Sequence, residues 1–319
     1  MNRNDQITAV KTMTGGAPEG FDAKLLAYIV ARTNGPVVHV LRDDARLAAM
    51  QHALQFFAPD LPVLLFPAWD CLPYDRIPPN AEVSARRMAT LAILADGFTR
   101  PSIILTTLNA ATQRIPARAI VASSSFTAVV GKQINVENLR SYLVRMGFNA
   151  APTVTEPGDY AIRGGLIDIF PPGASGPVRL DLFGDVLDGA RRFEAATQRT
   201  IEKITRIELA PVSEVILDEA AIQRFRRKYR HVFGAAGNDD PLYEAVSAGR
   251  KHQGLEHWLP FFHEHLDTLF DYLPEAPVIL DDQVNSSRTA RWISIEDQFA
   301  TRHAALSEKS HLGTVYKPV

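Results

Sequence analysis

The 319-residue chain is 46% hydrophobic and 22% charged, the profile of a soluble globular protein, and at roughly 150 residues per domain it has room for two or three domains. A formal net charge of −2 argues against a general polyanion binder, and a single cysteine, Cys71, excludes an internal disulfide framework and a four-cysteine zinc site. No run of roughly 18 apolar residues occurs, and the opening MNRNDQITAVKTMTGG lacks a signal-like apolar core, so a cytoplasmic protein without a membrane span is expected.

In chain order the first distinctive stretch is TGGAPEGFDAKLL, Thr14 to Leu26. Gly15 and Gly20 occupy the glycine positions of the phosphate-loop frame G-x-x-x-x-G-K-[ST], but Phe21 stands at the lysine position and Asp22 at the hydroxyl position. A working loop needs converging backbone N–H groups, a lysine on the phosphate oxygens and a hydroxyl on Mg²⁺. Pro18 removes one N–H, Phe21 offers neither charge nor donor, and Asp22 sets a carboxylate against phosphate. Lys24 lies one helical turn further on. Taken alone, the stretch fits a glycine-rich turn leading into a helix.

That helix, DAKLLAYIVART, places Leu25, Leu26, Ile29 and Val30 on one face. VVHVL reads as a short buried strand, DDARLAAMQHALQFF as a second amphipathic helix capped by Asp43 or Asp44, and PVLLFP as the next strand. A proline-rich loop, PAWDCLPYDRIPPN, precedes a third helix and the strand SIILTT. Helices alternating with continuous apolar strands predict a parallel sheet covered on both faces.

Near residue 120 the pattern changes. SSFTAVVG reads as a strand, and NVENLRSYLVRMGF as a helix capped by Asn135 with Leu139, Leu143 and Met146 inward. Three glycine- and proline-punctuated segments between 153 and 212 read as strands, giving a small α+β insert of about 75 residues. From about residue 200 helices return, including the basic QRFRRKYRHVF. APVILDDQV then has the shape of a Walker-B strand ending in Asp281-Asp282. In sequence order, with a parallel sheet between them, the Gly15–Asp22 stretch and Asp281-Asp282 read as halves of a nucleotide fold that no longer binds nucleotide. The tail from Ser307 reads as a cut end or a linker.

Other chemistry is sparse. His257, His263 and His265, beside Glu256 and Glu264, fit no zinc spacing. Cys71 among Trp69, Leu72 and Tyr74 reads as a small packing residue. The basic stretch Arg224 to His231 is the best nucleic-acid candidate, against the ordinary alternative of a solvated helix face. No serine, histidine and aspartate spacing is catalytic, and no pattern calls for a cofactor.

FPAWDCLPYDRIPPNAEVSARRMATL, SIILTTLNAATQRIP, GDYAIRGGLIDIFPP, VRLDLFGDVLDGARRFEAATQRT and GLEHWLPFFHEHLDTLFDYLP together resemble the N-terminal region of the bacterial transcription-repair coupling factors (the Mfd family), which is similar to the excision-repair protein UvrB. The resemblance implies an α/β, UvrB-like, helicase-type domain with a degenerate P-loop, formed by residues 1–118 and 198–319 around an inserted UvrA-binding domain, 119–197. It implies recruitment of UvrA, without catalysis by this region. RNA polymerase, DNA and an ATP-driven translocase would engage regions beyond residue 319. Two departures from UvrB, the missing P-loop lysine and the absence of a long aromatic hairpin near residues 71–88, match the coupling factors.

The positions matching the family's UvrA contact are Arg163, Arg179, Asp181 and Phe183, while Ala161 stands where UvrB-type sequences carry a further arginine. Independently, 179, 181 and 183 share one face of a strand, with Leu180 and Leu182 opposite. That face fits either a binding surface or a solvated surface with a cross-strand ion pair. The alternative functions are a residual NTPase or helicase half using Lys24 and Asp281, and a nucleic-acid module using the basic helix.

Overall fold

The computed structural model describes residues 20–74, 77–234 and 240–307. Gly15, Pro18 and most of the tail lie outside them. The chain begins with α1 (Phe21–Thr33), β1 (Pro36–Leu41), α2 (Asp44–Phe57), β2 (Val63–Phe66), α3 (Ala81–Ala95) and β3 (Ser102–Thr107), followed by the short α4 (Leu108–Ala111), β4 (Ile115–Pro116) and α5 (Arg118–Ala122). Asp43 caps α2, its carboxylate accepting from the Arg46 N–H at 2.8 Å. The apolar strands have no polar face because helices cover both sides. Val37, Leu41, Ile103 and Leu105 meet Leu26 and Val30 of α1 and Met50 and Leu54 of α2. On the opposite face Val38, Val40 and Ile104 meet Met88, Leu91 and Leu94 of α3.

The middle of the chain supplies β5 (Phe126–Val129), α6 (Val136–Arg145), β6 (Asn149–Ala150), β7 (Asp159–Arg163), β8 (Leu166–Ile169), β9 (Val178–Phe183), β10 (Val186–Phe193), β11 (Thr200–Ile204) and β12 (Arg206–Leu209). Strands β6 to β11 form one sheet in sequence order, antiparallel except for β6–β7, and β12 pairs with β5. Asn135 caps α6, and Leu139, Leu143 and Met146 are buried against Ile167, Leu180 and Leu187. The Tyr142 hydroxyl donates to the carbonyls of Ser124 and Leu209 (2.9 and 3.0 Å), tying the entry and exit of this unit together.

The last part contains α7 (Glu219–Phe233), α8 (Pro241–Ser247), a 3₁₀ turn (Leu255–Trp258), α9 (Leu259–Phe262), β13 (Leu266–Asp267), α10 (Leu269–Tyr272), β14 (Val278–Leu280) and α11 (Val284–Ser307). An aromatic cluster of Phe225, Tyr229, Trp258, Phe261 and Phe262 holds α7 to the turns that follow. β14 returns to pair in parallel with β1, giving the order β14-β1-β3-β2.

Two features differ from the sequence pattern. β14 is an edge strand with Val278 46% and Leu280 57% exposed, because no described element covers that side. The expected insert limit at 197 falls between β10 and β11, which are hydrogen-bonded neighbours, and the insert's core continues to Val212 and Ile216. Strand pairing thus keeps residues 200–209 with the antiparallel unit, and helices resume only at Glu219.

Candidate partner-binding face

The sheet of the insert has one face on its core; the other is covered around Ala161 and Phe193 by a small cluster with Val154 and Phe170 and is open toward Phe183. Register sets the outer face residue by residue: Arg163 lies opposite Leu166, Leu166 opposite Asp181, Asp168 opposite Arg179, and Arg179 opposite Arg191. Along β9 the alternation follows the pleat. Leu180 is fully buried and Leu182 packs against the core, while Arg179 and Asp181 are half-buried on the other side and Phe183 is 82% exposed. Two tight connections shape the end where Phe183 projects. Gly184, at φ +61°, turns β9 into β10. In the 163–166 turn, a Cβ on Gly165 would stand 2.9 Å from the Leu182 carbonyl oxygen, closer than any side chain tolerates.

The four sequence-predicted residues are brought to this one face, but not in equal states. Arg163 is exposed, and its guanidinium donates to the Pro152 carbonyl. Arg179 is committed within the sheet: Nε and Nη2 donate to the two Asp168 carboxylate oxygens at 2.6 and 2.8 Å, and the guanidinium stacks 4.8 Å from the Phe193 ring centroid. Asp168 is 4% exposed, and the hydrogen bonds and charge from Asp168 hold the Arg179 pKa above its ordinary value. Asp181 pairs with Arg191 at 3.0 Å. Ala161 is buried with Val154, Phe170 and Phe193, which accounts physically for a small residue there.

The sequence reading missed Arg191, Asp168 and Leu166, which is 40% exposed beside Phe183. The signal was available in part. The two-residue turn at Gly184-Asp185 by itself would set Ala190 against Arg179; a bulge between Leu187 and Gly189 shifts the register by one residue and brings Arg191 opposite Arg179 and within reach of Asp181.

Of the other predicted group, Gly15 lies outside the described residues, and only Asp22 and Asp281 are linked, through Arg46. Gly20 (φ +81°) precedes α1, Phe21 is 41% exposed, and Asp22 in the first turn bonds Arg46 of α2. Arg46 Nε reaches Asp281 at the end of β14 at 3.2 Å, while Asp282 is exposed. One arginine thereby bridges carboxylates 259 residues apart in sequence. His39, on the same side of β1, is buried with Nδ1 3.2 Å from the Ile279 carbonyl, and burial lowers its pKa.

The histidines do not converge. His263 is buried with Nε2 3.1 Å from the Glu214 carbonyl, His257 contacts the Ile77 carbonyl and the Cys71 thiol, and His265 is exposed near Asp267. Among the described residues no group of three or more His, Cys, Asp or Glu side chains is placed to hold a metal ion, and no helix is long and apolar enough to cross a membrane.

Residues 126–214, which span β5 to the end of the antiparallel unit, match the UvrB interaction domain family. Over most of its length the chain is similar to curated transcription-repair-coupling factors. It is 32% identical to that of Haemophilus influenzae over 87% of the chain and 24% of the relative, 32% identical to that of Escherichia coli (81% and 22%), and 30% identical to that of Myxococcus xanthus (92% and 26%). The chain therefore spans about a quarter of the length of these relatives.

Proposed function

We propose that this chain is the UvrA-recruiting module of a transcription-repair coupling factor, acting in the cytoplasm in nucleotide excision repair by protein–protein binding and without catalysis of its own. The observation that carries the reading is the open part of the sheet face inside the stretch that matches the UvrB interaction domain family, where Phe183, 82% exposed, projects beside Arg163 and the Asp181–Arg191 pair. An exposed aromatic ring flanked by charges has the form of an interface anchor with a polar rim. In this reading Arg163 and Phe183 contact UvrA directly, Asp181 contributes through its pair, and Arg179 holds the sheet's outer face in shape. The insert is taken to run from 119 to about 216, interrupting one α/β domain.

The α/β domain is read as a degenerate nucleotide fold. Phe21 and Asp22 replace the lysine and hydroxyl, and Arg46 lies between Asp22 and Asp281 where a working site would hold a metal ion and phosphates. RNA polymerase and ATP-driven translocation along DNA belong, in this reading, to the longer protein.

Capture of purified UvrA by the immobilised chain tests the proposal. The wild type retains UvrA, and Phe183→Ala weakens capture at least tenfold while melting like the wild type. Retention of UvrA by Phe183→Ala, or no capture by the wild type, refutes the assignment.

A further inference from the structure

The basic helix α7 carries six cationic side chains between Arg224 and His231, counting histidine, and the structure divides them by what they do. Arg224 and Lys228 point inward along the helix flank. Arg224 Nε donates to the Phe262 carbonyl at 2.8 Å, and Lys228 Nζ donates to the carbonyls of Pro260 and His263 at 2.8 and 2.6 Å. These two cations satisfy the carbonyl groups left open at the end of α9. Their role is structural.

Arg226, Arg227, Arg230 and His231 are all exposed, and none of them enters a salt bridge among the described residues. Arg230 Nε donates to the Arg226 carbonyl, 3.2 Å away, which lays that guanidinium along the helix. The four form two i,i+4 pairs, Arg226–Arg230 and Arg227–His231, so each pair repeats about 6 Å along a rigid axis. Like charges this close repel; Arg224 and Arg227 help lower the Lys228 pKa after burial has done so. The helix C-terminus favours Arg230 and His231, but Arg226 and Arg227 lie well before it and gain nothing from that source.

We propose that the exposed face of α7 binds the phosphate backbone of duplex DNA, weakly and without regard to sequence or damage. Charge complementarity identifies the occupant. A docking face for a protein carries an apolar anchor at its centre, as Phe183 supplies on the insert. The α7 face has arginines at its middle and a lone apolar residue, Val232, at its end. Protein–DNA interfaces are polar and strongly positive, and arginine row spacing suits a regular polyanion. The inference is independent of UvrA binding, which uses the insert.

Fluorescence anisotropy of an undamaged ~25-base-pair duplex, titrated with the 319-residue chain at several salt concentrations between about 50 and 200 mM, tests it. The wild type binds at low salt with affinity falling steeply as salt rises. The variant Arg226→Gln/Arg227→Gln/Arg230→Gln loses at least tenfold at low salt, and its log–log salt slope shrinks by up to about 2.7, three contacts at roughly 0.9 each. A control with the same charge change on the exposed insert surface, Lys132→Gln/Arg140→Gln/Arg199→Gln, keeps wild-type binding, and both variants keep the wild-type melting temperature. Equal losses in the two variants would assign the effect to net charge and overturn the proposal. So would unchanged binding by the α7 variant. Capture of poly-glutamate in preference to DNA would also overturn it, in favour of an acidic protein face.

Discussion

Arg87 on α3 and Glu214, five residues past β12, form a completely buried ion pair: Arg87 Nε lies 2.6 Å from Glu214 Oε1, with side chains 0% and 2% exposed. Trp69 Nε1 donates to the same oxygen at 3.1 Å, and Arg87 Nη1 donates to the Pro67 carbonyl and the Gln113 side chain. The Phe66 ring covers the guanidinium at 4.2 Å. Glu214 also presents its backbone carbonyl to His263. The pair therefore joins the parallel-sheet layer, the exit of the insert and the segment that follows the aromatic cluster at one point.

Breaking that pair from one side leaves a buried charge without its partner, a loss of about 3–5 kcal/mol. Glu214→Gln and Arg87→Met are each expected to lower the denaturant midpoint strongly, with smaller penalties for the double change Arg87→Met/Glu214→Leu. Trp69 fluorescence serves as a local reporter. A single variant as stable as the wild type would show that the junction is held by packing alone.

On the outer sheet face, two neighbouring positions should respond in opposite ways. Phe183→Ala removes an exposed ring and should leave stability unchanged. Arg179→Ala strands the Asp168 carboxylate, 4% exposed, and should cost roughly 1–3 kcal/mol or more. Leu180→Ala, in the core, should cost about 2–5 kcal/mol. Thermal melts of the three variants separate these roles. If Arg179→Ala melts like the wild type while abolishing UvrA capture, Arg179 is a direct contact and its pairing with Asp168 is incidental.

What could be read from the sequence was local. Asp43 and Asn135 are visible as caps because capping acts over three residues, and the two faces of β9 follow from the two-residue pleat. The covered parallel sheet was legible from continuous apolar strands, but the bare edge at β14 was not, since edge position depends on pairing and not on composition. Long-range charge partners were likewise hidden. Arg46 reaching Asp281 across 235 residues, and Arg87 reaching Glu214 across 127, leave no periodic trace. Arg179 reads either as a binding residue or as half of a cross-strand ion pair, and only the β8–β9 register names its partner as Asp168.

The Asp22–Arg46–Asp281 bridge sets an expectation for nucleotide. A free Mg·ATP would have to displace Arg46 from both carboxylates and meet Phe21 where a lysine is needed. Isothermal titration should therefore give no heat of binding, and a low-micromolar dissociation constant, ~8 kcal/mol, would overturn the degenerate-site reading. Arg46→Ala should not restore binding. It should instead destabilise the fold by roughly 1–3 kcal/mol, because Asp281, whose side chain is 8% exposed, loses the charge that compensates it.

Stability should fall as the solution is acidified through the histidine range. His263 and His39 are each 5% exposed, and burial is the main cause holding both pKa values below the ordinary 6.5; Arg224 and Lys228 add repulsion at His263, while Glu214 acts the other way. Above about pH 6.5 folded and unfolded chains both carry neutral rings. Below it the unfolded chain takes up protons that the native state resists, so unfolding becomes easier until the native pKa is reached. Each ring contributes at most about 1.4 kcal/mol per pH unit. Denaturation curves at pH 7.5 and 5.5 should show this loss, and His263→Gln, which removes one titrating group while its amide can still donate to the Glu214 carbonyl, should show a smaller one. If the wild type and His263→Gln lose stability in parallel, His263 is protonated in the folded state and the burial argument fails.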